Sequence, residues 1–233
     1  MSTFPPEFVD LSNKKWERTF VGISRVNSAL TRINAVTEAE FPLKKTRIAE
    51  LRFLRGHYYF DLKIQYKRLP YIDETLTQDS ALAVSNVALT NDELWSKIVE
   101  DFRFAADNLP VDQPELGRAN QINAKAYLAK VLLYQAYEQN DQHAVVNINK
   151  DKLEEVIKLV DEVIASGNYD LFDDFGKNFL YKYENGIESV FAIQRSHNDG
   201  TVDGKGSYGT ALNTPDSPEF GCCGFHRTYS EFG

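Results

Sequence analysis

Paired carboxylates, a glycine-spaced string, two adjacent cysteines and a polar aromatic loop are the features of this sequence whose types and spacing could do chemistry. The pairs Asp73-Glu74, Asp161-Glu162 and Asp173-Asp174 would suit glycoside hydrolysis if two carboxyls faced each other across a cleft, one raised in pKa by burial. Neighbours in sequence do not supply that geometry. Gly204-Lys205-Gly206-Ser207-Tyr208-Gly209 matches the G-x-G-x-x-G string of dinucleotide loops. That string needs a strand directly before it and a helix N-terminus directly after it to receive the pyrophosphate. A stretch of loop precedes it here and Pro215 and Pro218 follow, so a nucleotide is not expected. Asp174-Phe175-Gly176 lacks the other parts of a kinase site, and there is no G-x-S-x-G elbow for nucleophilic catalysis. Cys222 and Cys223 are vicinal and bridge only through a strained ring. His57, His143, His197 and His226 form no ligand pair at helical spacing, so neither a metal nor another cofactor is expected. The chemistry that remains is recognition: the chain reads as a binding protein, not an enzyme.

Recognition points to the loop after residue 195. His197, Asn198 and Asp199 offer an imidazole, an amide and a carboxylate, and Tyr208 offers a flat ring between glycines. A sugar presents an apolar C–H face for stacking and a rim of hydroxyls for hydrogen bonds, which those groups match. These four residues are the expected ligand contacts, with a plain surface loop or a partner-docking loop as the alternative reading of the same segment.

The bulk composition narrows the partner. Over 233 residues, 26 Lys+Arg against 34 Asp+Glu leave a net charge of −8, which opposes a nucleic-acid partner. No run approaches the ~18 apolar residues of a membrane span, and the Met1-Ser2-Thr3-Phe4-Pro5-Pro6 start lacks the basic-then-apolar order of a signal peptide.

Helical periodicity must position whatever binds, and it dominates from Asp10 to about Ser166. Trp16, Phe20, Ile23, Leu30 and Ile33 form one stripe of a first helix, which ends before Pro42. A second helix is predicted from Leu43 to Tyr66, stopped by Leu69-Pro70. A third opens at the Thr90-Asn91-Asp92-Glu93 cap, shows Trp95, Ile98, Phe102 and Ala105 on one face, and ends before Pro110. A fourth is predicted from Asn120 to Glu138. A fifth, from about Asp151 to Gly167, presents Leu153, Ile157, Val160 and Ile164 as its apolar stripe. Ser189 to Arg195 reads as a short strand and Ser196 to Gly224 as Gly-, Pro- and Asn-rich loop.

Two helices share a small-large-small pattern, Ala49-x-x-x-Phe53-x-x-Gly56 and Ala129-x-x-x-Leu133-x-x-Ala136. That spacing lets helices approach closely around one bulky side chain, as in the second helix of a tetratricopeptide-type repeat. Ala49, Phe53, Ala129 and Leu133 are therefore expected at helix contacts. Arg52 and Arg55 flank the aromatic face of the second helix and are expected to stack or pair with a carboxylate in a structural role. The fold class is mainly α, helical-hairpin repeats with loop and short-strand elaborations, and a peptide-binding intracellular repeat scaffold would satisfy that pattern.

Three stretches carry a closer likeness: Glu50-Leu-Arg-Phe-Leu-Arg-Gly-His-Tyr-Tyr-Phe-Asp-Leu62 with Leu69-Pro70, the Gly117-Arg-Ala-Asn-Gln start of the fourth helix, and Val163-Ile-Ala-Ser-Gly-Asn-Tyr-Asp-Leu171 followed by Glu184-Asn-Gly-Ile-Glu-Ser-Val-Phe-Ala-Ile-Gln194. In order and spacing they resemble the SusD/RagB family of nutrient-binding outer-membrane lipoproteins. The resemblance implies a tetratricopeptide-like superhelix over 1–195, with 196–233 leading into a truncated C-terminal part. It also implies a lipid-anchored surface protein that captures oligosaccharides without cleaving them and passes them to a SusC-like TonB-dependent transporter. The family's leader, lipidation cysteine and second half are not in this sequence, so a fragment is expected.

Overall fold

A computed structural model describes residues 6–140 and 142–194. Six α-helices follow in order: α1 (Pro6–Asn34), α2 (Lys44–Tyr66), α3 (Gln78–Leu82), α4 (Asn91–Asn108), α5 (Gln121–Ala136) and α6 (Lys150–Ala165). Each long helix packs on the next, α1 on α2, α2 on α4, α4 on α5 and α5 on α6. The result is the mainly α stack of helical hairpins expected of the periodicity.

Local chemistry sets the helix ends. Thr90 accepts from Glu93 N–H while the Glu93 carboxylate accepts from Thr90 N–H, a complete capping box. Asn120 and Asn123 do the same for α5. Asn149 caps α6, and Gly167, at φ +67°, takes the left-handed position after its last turn. The short α3 is not evident from periodicity; it rests on Thr77 accepting from Ser80 N–H at 3.2 Å.

Two differences in register matter. Leu133 is not a helix contact: it is 41% exposed, while its neighbour Leu132 is buried. α5 lies between α4 and α6 and so buries two stripes at once, leaving outward only the strip with Lys130, Leu133 and Tyr134. On α6 the expected stripe also fails, because Ile157, Val160 and Ile164 face outward and Leu159 is the residue buried. Ion pairs of Glu155 with Arg103, Glu162 with Lys125 and Lys152 with Asp92 join α6 to α4 and α5 in that orientation.

Strand content differs too. α5 ends two residues before Glu138, and Tyr137–Gln139 pairs antiparallel with Val145–Ile148. Among the described residues Ser189 to Gln194 forms no strand. It is tied down instead by Phe191, whose ring meets Phe53 at 4.9 Å and Tyr127 at 6.0 Å.

The core is continuous through α1, α2, α4 and α5. Phe53 and Ala49 are fully buried and Ala129 nearly so. Gly56 brings α2 close to α4: a Cβ there would lie 3.1 Å from the Phe102 ring.

Candidate functional site

Arg52 and Arg55 converge on one carboxylate. Arg55 Nε donates to Asp101 Oδ2 and its Nη2 to Oδ1, while Arg52 Nε donates to Oδ1, each at 2.8 Å. Arg52 also stacks on Phe104, 4.5 Å from the ring centroid. Burial works against the Arg55 charge, but the hydrogen bond and charge of Asp101 outweigh it and raise the guanidinium's pKa. Asp101 sits on the buried stripe of α4, beside Ile98, Phe102 and Ala105. An acid on an apolar face is the signal that could have found it, because a buried charge demands a partner.

The remaining donor of Arg55 reaches outward. Its Nη1 donates to Asn27 Oδ1 on α1 and to Glu74 in the segment after α2. Asn27 Nδ2 donates to the Ile72 carbonyl at 2.9 Å, and the Tyr59 hydroxyl both accepts from Ile72 N–H and donates to Ile72 O. Four side chains thus fasten residues 72–74 onto α1 and α2. Fixed there, the segment makes one wall of a cleft of about 460 Å³, which Phe20, Ile23, Asn27, Thr31, Glu74 and Gln78 help to line. A second, shallower hollow of about 690 Å³ opens along α1, lined by Arg25, Ala29, Arg32, Ile33, Val36 and Phe41 among others. Ser24 and Ser28 border both. Apolar surface with hydroxyls, an amide and a carboxylate at its margins is the makeup of a small-ligand site.

Other polar residues have structural explanations. Arg118, of the Gly-Arg-Ala stretch, pairs with Glu50 and Glu115, and Arg47 completes the Glu50 pairing. His57 lies beside Tyr127 and Phe191 with its buried Nδ1 unpartnered; burial, against the pull of Asp61, lowers its pKa and keeps the ring neutral. Among the described residues no three His, Cys, Asp or Glu side chains cluster to hold a metal. The expected ligand contacts His197, Asn198, Asp199 and Tyr208 lie outside the described residues, as do Cys222 and Cys223.

Comparison with known families is decisive at one level. The profile of a SusD-like family, described as starch-binding and associating with the outer membrane, matches residues 7–133, more than half of the chain. The chain belongs to the SusD-like family. A SusD-like protein of Bacteroides ovatus is 26% identical over 182 residues, covering 77% of this chain and 32% of the relative. Among solved structures, a SusD superfamily protein from Parabacteroides distasonis superimposes with a TM-score of 0.67 at 27% identity, covering 80% of this chain and 38% of that one. Another solved structure, determined with a xylogluco-oligosaccharide, has a TM-score of 0.64 at 26% identity over 78% of this chain and 35% of the other. This chain therefore spans about a third of the length of these relatives. The SusD-like region contains the Arg52–Arg55–Asp101 network and the α1 surface with both hollows.

Proposed function

We propose that this chain is part of a non-catalytic, surface-exposed glycan-binding protein of the outer membrane that hands oligosaccharides to a SusC-like TonB-dependent transporter. The observation that carries the reading is the family membership together with a relative of similar fold solved with a xylogluco-oligosaccharide. The α1 surface agrees with it in chemistry, since apolar walls with hydroxyl and amide margins suit a sugar better than a fully apolar ligand. His197, Asn198, Asp199 and Tyr208 are proposed as further contacts, and a lipid anchor outside this sequence as the link to the membrane.

Isothermal titration of the protein against a panel of neutral and acidic oligosaccharides tests binding. Reducing-end release from the same panel tests catalysis. Saturable binding with every glycan recovered intact is the expected result; sustained release of reducing ends, abolished by one carboxylate substitution, would refute it. Co-purification with a TonB-dependent transporter from detergent-solubilised outer membranes tests the handover.

A further inference from the structure

Three arginines on α1 share one edge at a fixed repeat. Arg18, Arg25 and Arg32 are spaced by seven residues, which places them on one helix face about 10.5 Å apart along the axis. All three are exposed, and none of their side chains forms a hydrogen bond or ion pair with another described residue. From Arg18 to Asn34 the helix carries no carboxylate at all, in a chain whose net charge is −8. A row of three uncompensated cations against that background is a local positive field.

The row runs into a shaped surface. Arg25 and Arg32 both line the 690 Å³ hollow, whose walls include Ala29, Ile33 and the ring of Phe41. Glu40, on the turn leading to Phe41, accepts from the N–H and hydroxyl of Thr37 at 2.8 Å and forms no ion pair with Arg25 or Arg32.

We infer that this edge of α1 is a subsite for anionic oligosaccharides, those bearing a carboxylate or sulfate on successive sugar units. The inference rests on the glycan-binding reading and names the class of glycan. Three cations spread over about 21 Å of helix axis are more than one small anion can engage together, because an ion pair needs contact within about 4 Å. They can share an extended chain whose charges recur along its length. Guanidinium forks grip carboxylate or sulfate oxygens in pairs, and the Phe41 ring with Ile33 gives the C–H face of the intervening sugar an apolar seat. The hollow is lined within residues 24–41, so a chain lying along the helix meets Arg25 and Arg32 in turn.

Titration of the full chain with hexameric oligogalacturonate, and with the same hexamer fully methyl-esterified, tests the inference. The acid is expected to bind at least tenfold tighter than its neutral ester, and its affinity is expected to fall as salt rises from 50 to 300 mM, about the range over which screening becomes strong. Arg25→Gln/Arg32→Gln should abolish that preference while leaving circular dichroism unchanged, and Arg25→Lys/Arg32→Lys should restore part of it. Equal affinity for acid and ester, or an acid preference untouched by the double variant, overturns the subsite while leaving glycan binding standing. Binding to phosphatidylglycerol vesicles that is lost in the double variant, with no acid preference, assigns the row to lipid and overturns it too. Failure of every glycan, neutral or acidic, removes both the subsite and the reading beneath it.

Discussion

Arg55 and Asp101 form a two-pronged ion pair with almost no access to water: Asp101 is 0% and Arg55 3% exposed. A buried pair contributes little compared with well-packed apolar residues, but breaking one half leaves a stranded charge. Asp101→Ala should therefore cost about 3–5 kcal/mol. A double-mutant cycle with Arg55→Met in urea should return a coupling of roughly 0.5–3 kcal/mol, as expected of residues in one network. Additive losses would mean that the two side chains act separately. Because Arg55 also holds Asn27 and Glu74, the same variants should loosen residues 72–74, read as faster amide exchange at Ile72 than at core positions of α4.

Phe53 is the aromatic hub. Its ring meets Phe102 at 5.4 Å, Tyr127 at 5.2 Å and Phe191 at 4.9 Å, all at steep angles. Phe53→Ala should cost about 3–5 kcal/mol, from lost apolar burial and the cavity left behind. Protease nicking after residue 186 should rise in the variant, since the chain around Phe191 loses a ring to rest on. Nicking as slow as in the parent protein would show that Phe191 is held mainly by Tyr127 and His57.

Neighbouring leucines on α5 separate the observed register from the one that the repeat pattern suggests. Leu132→Ala should lose about 2–5 kcal/mol, whereas Leu133→Ala should stay within roughly 0.5 kcal/mol of the parent. On α6, Leu159→Ala should destabilise and Ile157→Lys should not. Denaturant midpoints at constant m-value measure all four. The reverse ranking would restore the small-large-small alignment of α5 with α2.

What could be read from the sequence follows from how local each determinant is. Thr90 with Glu93, the proline after Leu109, and Gly167 act on their own helix ends, so the boundaries they set were legible. Trp95, Ile98, Phe102 and Ala105 form a single stripe on a helix whose other side is polar, so its inner face was legible as well. α5 offered no such contrast. With apolar residues around most of its circumference, periodicity could not decide between Leu132 and Leu133. α6 had two candidate stripes, and its packing on α5, with ion pairs to Arg103, Lys125 and Asp92 at the margin, sets the one inside. The two arginines could be read as structural, but Asp101 and Glu74 as their partners lie 46 and 19 residues from Arg55, a pairing that only the tertiary fold makes. The cleft on α1 was missed for the same reason, since its walls come from residues 20–31 and 72–82, whereas the hollow is lined within residues 24–41.

Two buried groups, Lys63 and Tyr59, and the half-buried Tyr71 give the protein an unusual alkaline profile. Lys63 is 4% exposed, its ammonium donating to Lys67 O and Asn91 Oδ1, and burial beside Lys67 and Arg68 pushes its pKa down to about 8. From pH 8 towards pH 10 the unfolded chain therefore holds more protons at this position than the folded one. Stability should rise across that window, by at most roughly 1.4 kcal/mol per pH unit. Tyr59 and Tyr71 have the opposite sign. Burial pushes both phenols above the ordinary tyrosine range, so above about pH 10 the unfolded chain gives up protons that the folded chain keeps, and stability falls. A maximum near pH 10 is expected in urea titrations taken at half-unit steps. Lys63→Met should flatten the rising limb without touching the falling one, and Tyr71→Phe should soften the fall. A parent protein that weakens steadily from pH 8 onward would mean that the Lys63 ammonium is solvated rather than enclosed by α2 and the start of α4.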